Sequence, residues 1–227
     1  MSDEARTAAA SAAAALVSPG MVIGLGSGRA VWAVTERLPA GVRAVVASER
    51  TRELAEGAGI EVIELDGRFS LELALDGADE VDPSLGLIKG GGGALVREKI
   101  VIAAARRFVV VAEAAKKVER LGEGFPLPVE VVRFGWQDTR RRLAALLPEG
   151  ELRVAEGQEP YLTDEGHYIL DCELPAGTDP RTLGGALSGV PGVVDHGLFL
   201  DMADLVLLGQ PDGTVERLER LERLERG

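Results

Sequence analysis

The chain has one cysteine, few aromatic residues and two histidines, and each scarcity closes off a class of chemistry. With Cys172 alone there is no intramolecular disulfide and no thiolate metal site, so this residue reads as part of the core. His167 and His196 show no ligand spacing, so no metal is expected and both read as structural or rim residues. Basic residues are also short: 25 Lys and Arg against 37 Asp and Glu give a formal charge of −12. That balance disfavours nonspecific binding of nucleic acid and favours solubility. No apolar run approaches the ~18 residues of a membrane span. Met1 to Pro19 is Ala-rich with early acids, unlike a basic and strongly apolar secretory signal, so a cytoplasmic location is expected.

What is present points to a globular α/β protein. At 227 residues and 46% hydrophobic content, the chain can hold one sizeable core, or a main domain plus a small one. Residues 3–17 read as an Ala-rich helix, Met21 to Leu25 as a buried strand, Gly26 to Gly28 as a turn and Arg29 to Leu38 as a helix. A strand at Arg43 to Ala47 and a helix at Glu49 to Glu56, closed by Gly57 and Gly59, repeat the unit. Ile60 to Leu65, Leu71 to Leu75 and Phe108 to Ala112 add strands. Alternation at this spacing predicts a doubly wound, Rossmann-like parallel sheet.

The pattern changes at the Gly/Pro-rich stretch Gly122 to Pro128. Strands at Val129 to Arg133, Glu151 to Val154, Tyr168 to Cys172 and Val193 to Asp195, with helices at Gln137 to Leu147 and Pro180 to Leu187, predict a second, smaller α+β domain over 128–199. Ala203 to Leu208 returns to the main domain, which takes 1–127 and 200–227. The Leu-Glu-Arg repeat from Glu216 to Arg226, with Leu218, Leu221 and Leu224, reads as a charged helical extension without catalytic content.

The densest chemistry lies between Asp76 and Lys99. Asp76, Asp79, Glu80 and Asp82 are followed by Lys89, the four glycines Gly90 to Gly93, and a helix former run from Ala94 carrying Glu98. Asp76 ends an apolar strand, where an open α/β sheet faces its ligand crevice. A glycine loop entering a helix offers unpaired N–H groups to an oxyanion or a phosphate. Taken singly, each part has an ordinary reading: an acidic turn, a flexible linker, a solvated helix face. Together they read as an active site.

These residues resemble the A-type ribose-5-phosphate isomerases, and the likeness covers nearly the whole chain. It extends to Gly24-Leu25-Gly26-Ser27-Gly28, Phe125 to Val131, Tyr168 to Cys172 and Pro191 to Phe199. The resemblance implies a two-domain arrangement, interconversion of ribose 5-phosphate and ribulose 5-phosphate in the non-oxidative pentose phosphate pathway, no cofactor, and a homodimer or larger homo-oligomer. It also implies Glu98 as the general base and Lys89 as the partner of the enediolate oxygen, with backbone donors at Gly91, Gly92 and Gly93. Such a reaction moves a proton between adjacent carbons through an enediolate, so one carboxylate can serve both transfers. Asp76 and Asp79 then handle hydroxyl protons, including those of ring opening.

The phosphate loop departs from the family. The usual Gly-Thr-Gly-Ser-Thr is here Gly26, Ser27, Gly28, Arg29 and Ala30. Ser27 keeps one hydroxyl, Ala30 lacks the other, and Arg29 supplies a guanidinium suited to phosphate, unless it is only an exposed residue at a helix start. By the same resemblance Arg6 stands where relatives carry a phosphate-assisting lysine, Ser48 and Thr51 match hydroxyls of the next loop, and Lys116 matches a lysine near the sugar.

Two rival functions use related folds. A sugar-phosphate sensor domain without turnover is expected to follow a DNA-binding helix-turn-helix, and the stretch before Met21 is too short and the chain too acidic for that. A coenzyme A transferase-like enzyme needs a nucleophilic glutamate, whereas Lys89 with two aspartates suits proton shuttling better.

Overall fold

The computed structural model of the chain describes residues 3–147 and 150–220. These fall into two compact units. The first contains the chain up to Ala78, Arg97–Lys117 and the chain from Asp201; the second contains Asp79–Val96 and Val118–Leu200.

In chain order the first unit supplies α1 (Asp3–Ala14), β1 (Val22–Leu25), α2 (Arg29–Thr35), β2 (Arg43–Val46), α3 (Glu49–Gly57), β3 (Glu61–Val62) and β4 (Leu73–Asp76). The second unit then contributes β5 (Glu80–Val81) and β6 (Leu87–Ile88). Helix α4 (Leu95–Ala103) begins in the second unit and ends in the first, leading to β7 (Phe108–Glu113). Next come β8 (Leu127–Val131), α5 (Trp136–Leu143), β9 (Glu151–Leu152), β10 (Tyr168–Cys172), α6 (Pro180–Ser188), β11 (Val193–His196) and β12 (Leu198–Phe199), all in the second unit. Strands β13 (Leu205–Gly209) and β14 (Val215–Glu219) return to the first.

The first unit is built on a seven-stranded sheet in the order β14-β13-β7-β4-β1-β2-β3. Every neighbouring pair is parallel except β13 with β14. Alternate side chains of the strands face opposite layers. Ile23, Leu25, Leu73, Leu75, Val109, Val111, Leu205 and Leu207 join the small residues of α1 with Val31, Val34 and Ala55 in one core. On the opposite face, a Cβ at Gly24 would lie 2.5 Å from Val101 Cγ1, so α4 sits against the sheet where β1 has no side chain. Helices on both faces and reversal of strand order between β1 and β4 make the sheet doubly wound.

The second unit has a four-stranded antiparallel sheet, β11-β8-β10-β9, and a three-stranded sheet, β12-β6-β5. Leu127, Val129, Val131, Leu170 and Cys172 of the larger sheet form a core with Leu143, Leu147, Leu183 and Leu187 of the α5 and α6 regions. Burial pushes the Cys172 thiol up to about 12, as a core residue requires. Helix α6 starts on Asp179, whose carboxylate accepts the Thr182 N–H at 2.9 Å, with Pro180 at the first helical position.

Two expectations are corrected. The boundary at 127/128 moves, because β5 pairs with β6 and β6 with β12, and Glu80 binds the backbone at Gly122 and Gly124, so 79–96 and 118–127 belong with the second unit. The helical extension from Glu216 is instead a strand as far as Glu219. The turn at Asp212 and Gly213 folds β14 back on β13, which offers the free sheet edge that a period of three cannot offer a helix. Leu221 and Leu224 lie outside the described residues. Among the described residues no helix is long and apolar enough to cross a membrane.

The Gly24 contact is open to measurement. Gly24→Ala puts a methyl against Val101 and should lower stability by about 1–3 kcal/mol, the usual cost of overpacking. Denaturant unfolding reads this as an earlier midpoint; an unchanged midpoint means α4 has room to shift.

Candidate active site

The crevice of an open α/β sheet lies beyond the C-terminal strand ends at the point where strand order reverses. Here that point is between β1 and β4. Gly26 follows β1 and donates its N–H to Leu75 O at 2.9 Å, while Asp76 closes β4 and is fully buried. A Cβ at Gly26 would fall 1.9 to 2.2 Å from the Asp76 carboxylate atoms. The glycine therefore lets this carboxylate lie directly over the β1 turn. Its Oδ1 accepts the N–H groups of Ser27 at 3.2 Å and Gly77 at 2.7 Å.

Three hydroxyls run outward from the same turn. Thr51 Oγ1 donates to Gly26 O at 2.9 Å and accepts from the Trp32 indole N–H at 3.2 Å. Ser48 Oγ caps α3 by accepting the Thr51 N–H at 3.1 Å, and lies 3.0 Å from Thr51 Oγ1 and 2.9 Å from Ser27 Oγ. Gly26, Ser27, Ser48, Thr51 and Asp76 are thus one bonded group. Thr51, matched from the sequence to a hydroxyl of the second loop, is fully buried with its proton used on the backbone, so it supports the loop. Trp32, which carries no motif signal in the sequence, completes that support.

Gly28 has φ +100°, a conformation that needs glycine, and passes the chain into α2 with Arg29 exposed at its first position and Ala30 half-buried. Arg6 is held by acidic side chains. Its Nε and Nη2 bond Glu113 Oε1 at 3.2 and 3.1 Å and its Nη1 meets Asp3 at 3.0 Å, so the guanidinium braces α1 against the end of β7. Lys116 sits in a single 3-10 turn, Ala114–Lys116, just after β7.

Glu98 lies in the first turn of α4, where the helix dipole favours a negative charge. It shares the buried face of that helix with Leu95, Val101 and Ile102. A glutamate in that apolar stripe is placed against the helix pattern, as a functional residue is.

In the second unit the acidic cluster divides by role. Glu80 is buried and accepts the N–H groups of Gly122 and Gly124 at 2.6 and 2.5 Å. Asp82 caps its own turn through Ser84 and Gly86. Both are structural. Asp79 instead accepts the Gly91 N–H at 2.8 Å, joining it to the glycine loop. Lys89 is buried, with Nζ 5.4 Å from the Phe199 ring centroid. Gly91 and Gly92 are exposed and Gly93, at φ +79°, packs beneath Tyr161, whose hydroxyl a Cβ there would meet at 2.3 Å. Arg153 reaches this loop as well, and neither Arg153 nor Tyr161 carried a motif signal in the sequence.

The two histidines are structural. His196 is buried, with Nε2 3.1 Å from Gly184 O and Nδ1 accepting the Leu198 N–H. His167 Nδ1 lies 2.9 Å from Glu130, whose carboxyl burial pushes up. Among the described residues no group of three or more His, Cys, Asp or Glu side chains is placed to hold a metal ion.

Comparison with known proteins agrees with these features. A sequence profile of the family described as ribose 5-phosphate isomerase A (phosphoriboisomerase A) matches residues 43–213. The ribose-5-phosphate isomerase A of Roseiflexus castenholzii is 52% identical over 219 residues, covering 93% of this chain and 94% of its own. The solved structure of ribose 5-phosphate isomerase A from Methanocaldococcus jannaschii superposes with a TM-score of 0.90 at 35% identity, covering 96% of this chain and 99% of its own. A D-ribose-5-phosphate isomerase in complex with phospho-erythronic acid gives a TM-score of 0.91 at 34% identity, covering 97% and 100%.

Proposed function

The chain belongs to the ribose 5-phosphate isomerase A family, and from that premise we propose that it interconverts D-ribose 5-phosphate and D-ribulose 5-phosphate through an enediolate. The observation that carries the chemistry is Glu98: a buried carboxylate in the first turn of α4, on a face otherwise apolar. Such a group is kept from bulk water and held in one orientation, as a base that takes a proton from one carbon and returns it to the next requires. Lys89 is assigned to the developing enediolate oxygen. The loop from Gly91 to Gly93 adds backbone donors, of which the Gly91 N–H is already committed to Asp79. Asp76 and Asp79 carry the hydroxyl protons of ring opening. Phospho-erythronic acid, the ligand of one structural relative, bears a carboxylate where an enediolate bears its charge, in keeping with this assignment.

The phosphate is assigned to the loop from Gly26 to Ala30, to Ser27 with Ser48 behind it, and to Arg29; Lys116 is placed near the sugar. Thr51 and Arg6 act behind this set, through Gly26 O and Glu113. We place the enzyme in the cytoplasm, acting without a cofactor and apart from nucleic acid or membranes. Its oligomeric state is proposed as a homodimer or larger homo-oligomer, supported by Phe134, which is 92% exposed, and by exposed Val132 and Val194 beside the β8–β11 pairing. Light scattering should give at least twice the chain mass; a monomer removes that part of the reading.

Glu98→Gln keeps shape and removes the proton acceptor, so kcat should fall at least ~10²-fold with sugar-phosphate binding retained. Full activity in this variant takes Glu98 out of the base role. Arg29→Ala should raise the Michaelis constant for ribose 5-phosphate about tenfold, as loss of a charge-assisted bond worth about 1.5–3 kcal/mol implies, with kcat changed less. An unchanged constant leaves the phosphate to Ser27, Ser48 and the loop backbone.

A further inference from the structure

Four consecutive glycines have no side chains to fix the direction of their peptides, so N–H groups that are to serve an oxyanion must be aimed from outside the loop. In the second unit that aiming comes from Arg153. Its own backbone is fixed in the sheet region, with N donating to Ile169 O at 2.8 Å. One edge of the guanidinium is paired with Asp171, Nε to Oδ2 at 2.8 Å and Nη2 to Oδ1, which sets the plane of the fork. The remaining nitrogen, Nη1, donates to Gly90 O at 2.7 Å and to Gly91 O at 3.2 Å. Tyr161, whose N–H donates to Arg153 O at 2.9 Å, places its hydroxyl 3.2 Å from Gly92 O. Three successive carbonyls are therefore held by these two side chains.

A planar trans peptide points its N–H opposite its C=O. Holding Gly90 O sends the Gly91 N–H the other way, where Asp79 Oδ2 accepts it at 2.8 Å. Holding Gly91 O sends the Gly92 N–H away from Arg153 in the same manner. The Gly93 N–H turns back to Gly90 O at 3.0 Å and closes the turn.

We propose that Arg153, fixed by Asp171 and assisted by Tyr161, is the positioning residue that aims the Gly91 N–H at Asp79 and the Gly92 N–H at the enediolate oxygen. It acts through the loop and does not itself touch the sugar. The inference rests on the isomerase reading given above. Lysine cannot replace it, because an ammonium has no planar fork to bind Asp171 on one edge and two carbonyls at the tip.

The test compares Arg153→Lys, Arg153→Ala and Tyr161→Phe in steady-state kinetics with ribose 5-phosphate, and follows the Gly91 and Gly92 amide resonances by heteronuclear NMR. A donor displaced by about an ångström costs about a hundredfold in rate, so Arg153→Ala should lower kcat to that extent and Arg153→Lys about tenfold, with the Michaelis constant nearly unchanged. The two glycine amides should shift in both Arg153 variants, and added guanidinium should restore part of the kcat of Arg153→Ala. If Arg153→Ala fails to fold, Arg153→Lys and Tyr161→Phe decide the matter. Wild-type kcat and unmoved amides in those two overturn the proposal, as does a loss of activity that follows only the unfolded fraction. Failure of the wild-type protein to isomerise ribose 5-phosphate overturns the earlier reading instead, and the amide resonances then still judge the positioning role.

Discussion

A carboxylate buried at the middle of a parallel sheet needs donors that do not themselves break strand pairing, and the first unit is arranged around how Asp76 obtains them. The strands on either side are already bonded, so spare N–H groups are found just past the strand ends. Asp76 takes them from Ser27 and Gly77. Reaching them requires the carboxylate to lie where a Cβ of residue 26 would stand, so a glycine there is a steric necessity. The same turn hands Gly26 O to Thr51, and through Thr51 and Ser48 sets the start of α3. Strand order, the first glycine loop and the second loop are thereby fixed at one point.

Much of this was legible in the sequence, for reasons tied to period and punctuation. Long apolar strands such as Phe108–Glu113 and Tyr168–Cys172 announce themselves because burial on both or alternate faces leaves a clear pattern. Two-residue strands do not. Leu87–Ile88 pairs locally with Glu80–Val81 and also with Leu198–Phe199, more than a hundred residues later, and no local signal carries that second pairing. The tail failed for the opposite reason: a repeated Leu-Glu-Arg suggests a helix, but the turn at Asp212 and Gly213 presents it to an open edge of β13.

The site divides in the same way. Glycine runs, an aspartate at a strand end and a glutamate opening a helix are visible because each breaks a local rule of composition. Side chains that hold such groups in place break no rule. Trp32 reads as one more apolar residue of α2, Arg153 as one more charge after a short strand, and Tyr161 as a loop aromatic. Only their bonds to Thr51 and to the glycine carbonyls distinguish them. Equally, four carboxylates look alike in the sequence, while the fold spends Glu80 and Asp82 on its own backbone.

The string of hydroxyls from Ser27 through Ser48 to Thr51 has a direction. Gly26 O has no proton to give, so the single proton of Thr51 is committed to it, and Thr51 Oγ1 must accept from Trp32 and Ser48. Ser48 in turn accepts from the Thr51 N–H and from Ser27. Followed to its outer end, this ordering leaves Ser27 presenting lone pairs. For Ser27 to donate outward instead, its own hydroxyl must rotate, giving up the bond to Ser48 unless that rotor turns with it. The loop is a short polarised wire, and its resting sense is set at the Gly26 carbonyl, one residue from its outer end.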